Sequence, residues 1–392
     1  MNRHGESLHL FHNTCEAVFE RRLNRFTVEC ELQGRRELAY LPNPGRLREL
    51  LLPGRRLILT GDRRRAGSRL RHTAVAVERE GSFIMLHTHR ANDVVEWLLK
   101  KRLVPGFEDA VITGREVSRG RSRFDFLLIR DGKPFLLEVK SCTLFERSIA
   151  MFPDAVTQRG ERHLRELSGH VEEGTPAGVL FLVQWPRARY FFPDYHTDPA
   201  FARTFVTVKD MLTCKPIAVE WERDLSLKPR VTELSIPWHV IESEARDRGS
   251  YLLILHVPEG GNIGIGKLGT IAFSAGHYIY VGSAQAGLTK RIERHLRKRK
   301  RFHWHIDYLR ERADRCTALP IRSSARLECD LAAAVGMIAR APVPGFGSSN
   351  CRCHSHLFAM DGDPLDDPRF IDIVQRFRMG RLEPIIEAAK TY

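Results

Sequence analysis

Two acids and a lysine carry the clearest chemical signal in the chain: Asp125, Glu138 and Lys140, spaced D-x12-E-x-K within RGRSRFDFLLIRDGKPFLLEVKSCT. Burying two carboxylates among Phe124, Phe126, Leu127, Leu136 and Leu137 is costly unless a cation neutralises them, and hard oxygen ligands suit Mg²⁺ or Mn²⁺. A lysine beside such an ion can orient an attacking water and steady a phosphate, which is the chemistry of metal-assisted phosphodiester hydrolysis. The spacing alone also fits an exposed hairpin whose three charges form a solvated ion pair.

Two strands must hold these groups. Phe124–Ile129 and Pro134–Val139 are apolar runs joined at Asp131-Gly132, a dipeptide that commonly closes a hairpin. Alternation along a strand sends Glu138 and Lys140 to one face and Val139 into the core. Upstream, Val94, Val95, Trp97, Leu98 and Leu99 have helical spacing, with Asn92 as the expected cap. Downstream, FPDAVTQRGERHLREL (Phe152–Leu167) predicts a helix rich in Arg159, Arg162, His163 and Arg165, and GVLFLV (Gly178–Val183) a second buried strand. Strand, helix, strand is the order of an α/β sheet with crossover packing.

Residues 14–88 instead alternate short apolar runs with Gly, Pro and Asn turn signals, the pattern of a small antiparallel barrel. Arginines decorate its connections, among them Arg46, Arg63, Arg64 and Arg65, as a phosphate-contacting face requires. The whole chain has 392 residues, 43% of them hydrophobic, which favours two or three domains. Its formal charge of +14 makes a polyanionic partner the first expectation. The excess is uneven: 17 basic against 10 acidic residues in 1–90, 22 against 21 in 91–240, and 23 against 17 in 241–392. A near-neutral segment carrying the acids is thus flanked by two basic ones. No run of 18 apolar residues occurs and the first residues lack an apolar core, so the expected location is cytoplasmic, with no membrane partner. The eight cysteines, none in a CxxC, are expected to remain thiols.

The mixed, proline-containing stretch 223–248 suggests the end of one domain and a linker into another, with a boundary near 240. YLLILHV at Tyr251–Val257 opens a third domain, and the glycine-rich Gly260–Gly269 fits a hairpin better than a phosphate loop because GKS/T is missing. GLTKRIERHLRKRKR (Gly287–Arg301) predicts a helix presenting Arg291, Arg294 or His295, and Lys298 to phosphate. FGSSNCRCHSHLF gathers Cys351, Cys353, His354 and His356, potential soft-metal ligands. Four residues that close are not expected to reach one ion together, so a structural or active-site role is favoured over zinc.

SRFDFLL, LLEVKSCTL, MFPDAVTQRGERHLREL and LPNPGRLRELLLPG resemble motifs of the sugar fermentation stimulation protein A family, in its order, over about residues 10–235. The resemblance implies a multidomain α/β and β chain: an N-terminal OB-fold barrel at 1–90, then a PD-(D/E)XK-type α/β nuclease domain at 91–240, with DNA binding as the family's activity. It places Asp125, Glu138 and Lys140 on the nuclease motif, with Asp125 and Glu138 holding Mg²⁺ or Mn²⁺. Residues 241–392 resemble GIY-YIG-like α/β domains, with Tyr251 and Tyr280 in the two tyrosine places, Arg291 on the following helix, HWHIDYL at His303–Leu309 and Glu328 as the metal-binding glutamate. The two tyrosines stand 29 apart, wider than is typical of that fold. Phosphate contacts are then expected from Arg46, Arg63, Arg64, Arg65, Arg123, Arg159, Arg294, His295 and Lys298. Two function classes follow: a metal-dependent nuclease acting on DNA or RNA, or a DNA-binding regulator of sugar-metabolism genes with vestigial nuclease sites.

Overall fold

A computed structural model describes residues 7–61, 70–120 and 122–390, and the chain divides into two compact units, Met1–Trp238 and His239–Tyr392. In the first, β1 (Thr14–Asn24), β2 (Thr27–Leu32), β3 (Arg35–Tyr40), β4 (Arg56–Gly61), β5 (His72–Arg79) and β6 (Ser82–Met85) form a sheet in the order β3-β2-β1-β4-β5-β6. Parallel pairing of β3 with β5, at Ala39↔His72 and Tyr40↔Thr73, closes the strands into the N-terminal OB barrel. Val28, Cys30, Ala39, Leu57, Leu59 and Ala74 fill its interior.

The central α/β part follows directly: α1 (Ala91–Lys100), β7 (Val111–Arg119), β8 (Ser122–Arg130), β9 (Lys133–Cys142), α2 (Gln158–Glu172), β10 (Ala177–Val183), α3 (Pro199–Thr207), β11 (Thr213–Ala218) and the short β12 (Thr232–Glu233). The sheet order is β12-β11-β10-β9-β8-β7, an antiparallel meander from β7 to β9 onto which β10 and β11 add in parallel. Helix, three antiparallel strands, helix and parallel strand is the PD-(D/E)XK arrangement. Asp131 and Gly132, with φ of 49° and 72°, make the tight β8–β9 turn. One buried cluster runs from Val28 and Leu47 in the barrel to Phe124, Phe145, Phe181 and Trp185, so barrel and sheet share a core. Arg79 on β5 also reaches Glu146 at 2.6 Å.

Three local expectations are corrected. Asn92 is not a cap: Arg90 occupies that position and makes no side-chain capping bond. The basic helix starts at Gln158 rather than Phe152, because the Thr157 hydroxyl accepts the Gly160 N–H at 3.0 Å, while Phe152 ends a strand. In the stretch expected to end one domain and link it to the next, the linker is shorter than expected: Ser226–Leu227 pairs with Leu8–His9 and β12 edges the main sheet, so both belong to the first unit. Only α4 (Trp238–Glu244) meets the division between the units.

The second unit is built on β13 (Gly249–Val257), β14 (Gly276–Ala284), β15 (Arg315–Arg322), β16 (Ala341–Pro342) and β17 (Leu357–Met360), in the order β15-β13-β14-β17-β16. Around them lie α5 (Leu288–Leu296), α6 (His305–Arg312), α7 (Glu328–Gly336), α8 (Pro368–Gln375) and α9 (Leu382–Lys390). The glycine-rich loop is a hairpin of Gly261–Gly264 against Thr270–Phe273. That excursion takes up the long interval between the two tyrosines without separating them. Helix α5 is shorter than expected and stops at Leu296, leaving Arg297–Arg301 beyond it. Among the described residues no helix is long and apolar enough to cross a membrane.

Candidate active site

The β8–β9 ladder ends at Leu137↔Phe126. Just past that pair the Asp125 carboxylate takes over, accepting the Val139 N–H on Oδ2 at 2.7 Å and the Asn92 amide on Oδ1 at 2.7 Å. Asn92 therefore serves the site rather than its own helix. Glu138 is 3% exposed, and its Oε1 accepts from both Lys140 Nζ and His163 Nδ1, the latter at 2.6 Å. His163 projects from α2 and its Nε2 accepts from Arg159 Nε at 3.3 Å, which leaves Nδ1 as the protonated nitrogen that donates to Glu138. The second oxygen, Glu138 Oε2, is buried without a hydrogen-bond partner.

Electrostatics separate the two acids. Burial, and then the Glu138 charge, push the Asp125 carboxyl up to about 6. Burial acts on Glu138 in the same direction, but Lys140 and His163 outweigh it and hold Glu138 below the ordinary carboxylate value. The exposed ion-pair alternative is therefore not what the fold builds: the three groups converge, with Glu138 buried and Asp125 and Lys140 half-buried.

A cleft of about 360 Å³ opens over Lys140, with Asn92, Ser141, Asp154, Thr157 and Arg159 on its α/β wall and Arg25 and Asn43–Gly45 from the barrel opposite. The Arg22 guanidinium shapes that opposite wall by donating to five carbonyls, those of Asn24, Arg25, Asn43, Gly45 and Arg46, at 2.6–3.3 Å. Asp154 clamps the wall from the other side, accepting the Leu47 N–H at 2.6 Å. A Cβ at position 45 would lie 2.8 Å from the Asp154 carboxylate and 3.0 Å from Asn43 Oδ1, so a side chain there would have to displace them. Arg159 is exposed at the cleft, and Arg46, also exposed, follows the lining Gly45 without lining the cleft itself. Arg123 is exposed too, paired with Glu116 at 2.7 Å. Arg63, Arg64 and Arg65 lie outside the described residues.

In the second unit Tyr251, Tyr280, Arg291 and Glu328 line one pocket of about 290 Å³ together with Ser283, Trp304 and His356. The tyrosine rings are 6.4 Å apart, and Tyr251 shares a hydrogen bond of 2.9 Å with His295. Tyr251 pairs across the sheet with Gly282, where any side chain would run into the tyrosine hydroxyl. Arg291 donates to the Ser283 carbonyl at 2.9 Å and stacks over Trp304, while Glu328 accepts the Ser283 hydroxyl at 2.5 Å. Burial raises both tyrosine hydroxyls above their ordinary values. Two residues expected to face phosphate turn inward instead. His295 is 1% exposed, and Arg294 binds the buried Asp307 at 3.1 Å. Lys298 is exposed.

Asn92, Arg22, Asp154 and, as a partner of the acids, His163 were not legible as site residues, because their partners are distant in sequence. The cysteine-histidine cluster also differs from expectation: Cys351, Cys353 and His356 gather with Cys329 from α7, whereas exposed His354 does not join them.

Comparison with known proteins fits these units. Residues 21–86 match the SfsA N-terminal OB domain, 89–224 the sugar fermentation stimulation protein RE domain, and 250–378 a domain of unknown function, DUF123. A sugar fermentation stimulation protein homolog of Methanothermobacter thermautotrophicus is 40% identical over 196 residues, covering 49% of this chain and 80% of its own. One from Moorella thermoacetica is 39% identical, over 49% of this chain and 83% of its own. The structure of Pyrococcus furiosus SfsA in complex with Ca²⁺ aligns with a TM-score of 0.54 at 28% identity, covering 59% of this chain and 99% of that one. The chain belongs to the sugar fermentation stimulation protein family and carries a C-terminal DUF123 domain in addition.

Proposed function

We propose that this protein binds nucleic acid, DNA foremost, and hydrolyses its phosphodiester bonds at Asp125, Glu138 and Lys140 with Mg²⁺ or Mn²⁺. The observation that carries this reading is the unmatched charge. Glu138 keeps one buried oxygen without a partner beside an Asp125 whose ionisation Glu138 opposes, which is the electrostatic setting a divalent cation relieves. The Ca²⁺ bound to the Pyrococcus furiosus relative supports a hard cation in this family. Asp125 and Glu138 would hold the ion, which supplies charge for the phosphate and acidifies a water. Lys140, which lines the cleft, binds a phosphate oxygen and offsets the charge that builds on it. His163 keeps Glu138 ionised and fixed in direction. Arg46 and Arg159 hold the flanking backbone. Tyr251, Tyr280, Arg291 and Glu328, lining one pocket, support a second hydrolytic site in the other unit.

A chain ending at Trp238 isolates the first site, since that unit is compact. It is expected to cleave DNA with Mg²⁺ or Mn²⁺, and Asp125→Asn and Glu138→Gln to abolish cleavage while folding and binding persist. Cleavage at the wild-type rate in both variants would remove the assignment. Binding without any cleavage by the unaltered unit would leave a non-catalytic DNA-binding protein.

A further inference from the structure

Cys329, Cys351, Cys353 and His356 each offer one ligand atom, and the four atoms lie within 4.8 Å of one another. They come from two separate segments, the first turn of α7 and the loop that leads into β17. A tetrahedral ion with bonds of about 2.3 Å to sulfur and about 2.0 Å to nitrogen sets its ligand atoms roughly 3.5–3.8 Å apart. The Cys351 Sγ to His356 Nε2 separation, 3.4 Å, already has that scale. Three thiols and an imidazole form a soft donor set that suits zinc and not the hard cations proposed for Asp125 and Glu138. Packing does not account for the cluster, because Cys329 is exposed and Cys351 and Cys353 are only half-buried. A disulfide would use two of the three sulfurs and leave the third idle.

The surroundings carry the argument further. His356 is 2% exposed and its backbone is fixed on both sides, its N–H donating to Phe346 at 2.8 Å and its carbonyl accepting from Val281 at 2.9 Å. With Nε2 toward Cys351, its Nδ1 lies 3.4 Å from Glu328 Oε1. Metal-bound histidines commonly direct their second nitrogen to a carboxylate, which sets the tautomer and the ring orientation. Glu328 is itself held by the Ser283 hydroxyl. We propose that Cys329, Cys351, Cys353 and His356 bind one Zn²⁺ ion, which ties the loop before β17 to α7 and, through His356, fixes Glu328 at the edge of the Tyr251–Tyr280 pocket. Glu328 acts here as the partner of a zinc-bound histidine, and His356 as a positioning residue for Glu328.

The test uses the untagged full-length chain purified under reducing conditions. Elemental analysis is expected to find about one zinc per chain after dialysis. Replacement with Co²⁺ is expected to give thiolate-to-cobalt charge-transfer bands and tetrahedral d–d bands. Cys329→Ser and Cys353→Ser should lose the zinc and most of the charge-transfer intensity, whereas His354→Ala keeps both. Should a serine variant fail to fold, alkylation of the unaltered chain decides: zinc is expected to protect Cys329, Cys351 and Cys353, and a chelator to expose them. The proposal is overturned by a chain that neither holds nor takes up zinc or cobalt, by serine variants that keep wild-type zinc, or by thiols that alkylate equally fast with and without the metal.

Discussion

Asp125 and Glu138 share a surface yet answer protons differently, and that difference can be measured. A carboxyl raised to about 6 from an ordinary 3.8 binds its proton more tightly in the folded chain than in the unfolded one. Its contribution to stability is present at low pH and is lost as pH rises through about 6. A cation on the two acids removes that loss. The Mg²⁺-induced rise in melting temperature is therefore expected to grow as pH increases from about 5 to 7 and to shrink sharply in Asp125→Asn; a shift independent of pH, or unchanged in the variant, would contradict a metal on this acid. His163 acts one step further out, through its 2.6 Å bond to Glu138. His163→Ala is expected to lower metal affinity or turnover by about 10–100-fold while DNA affinity stays constant, as losses of such supporting partners do. The half-saturating Mg²⁺ concentration distinguishes this from a general loss of folding. Equal metal dependence in the variant would demote His163 to a packing residue.

The elements explain which of these groups could be foreseen. Alternation and an Asp-Gly turn were sufficient to pair β8 with β9 and put Glu138 and Lys140 on one side, because both signals are local. His163 appeared only as one member of a basic helix, since its role depends on where α2 starts and how it crosses the sheet. Thr157, rather than Pro153, sets that start. Thr157→Ala is expected to cost about 1 kcal/mol in denaturant unfolding, and an unchanged midpoint would show that tertiary packing alone holds the first turn. Asn92 looked like a cap because caps are recognised by residue type, while its partner lies 33 residues away. The basic run after Leu288 misled in the same manner. Its density suggested a solvated phosphate-facing helix, but buried Asp307 draws Arg294 and Lys300 inward at 3.1 and 3.0 Å. Despite burial, His295, Arg294 and two backbone N–H groups hold the Asp307 carboxyl well below the ordinary range. Asp307→Asn would strand two cations and should destabilise the second unit by about 3–5 kcal/mol, read from its unfolding transition. A loss under about 1 kcal/mol would mean that water already screens the network.

At the scale of the whole chain, basic charge concentrates at the two ends of the sequence and the acids in its middle. If Arg46, Arg159 and the basic residues beyond α5 contact phosphates, the logarithm of duplex affinity falls with the logarithm of salt by about 0.9 per phosphate neutralised. Because the chain forms two compact units, the assignment of hydrolysis to one or both can be made by separating them. Residues 239–392 should fold on their own: β13 to β17 form a complete sheet, and one buried cluster gathers Tyr251, Leu253, Tyr280, Phe346 and Leu357. The isolated unit is expected to bind nucleic acid and to cleave with a divalent cation, and Arg291→Ala and Glu328→Gln to remove cleavage, since Arg291 supplies the positive charge and Glu328 the carboxylate of the same pocket. Cleavage that survives in both variants would exclude the pocket as its source. A folded fragment that binds but never cleaves would make the second unit a recognition module and leave all hydrolysis with Asp125, Glu138 and Lys140.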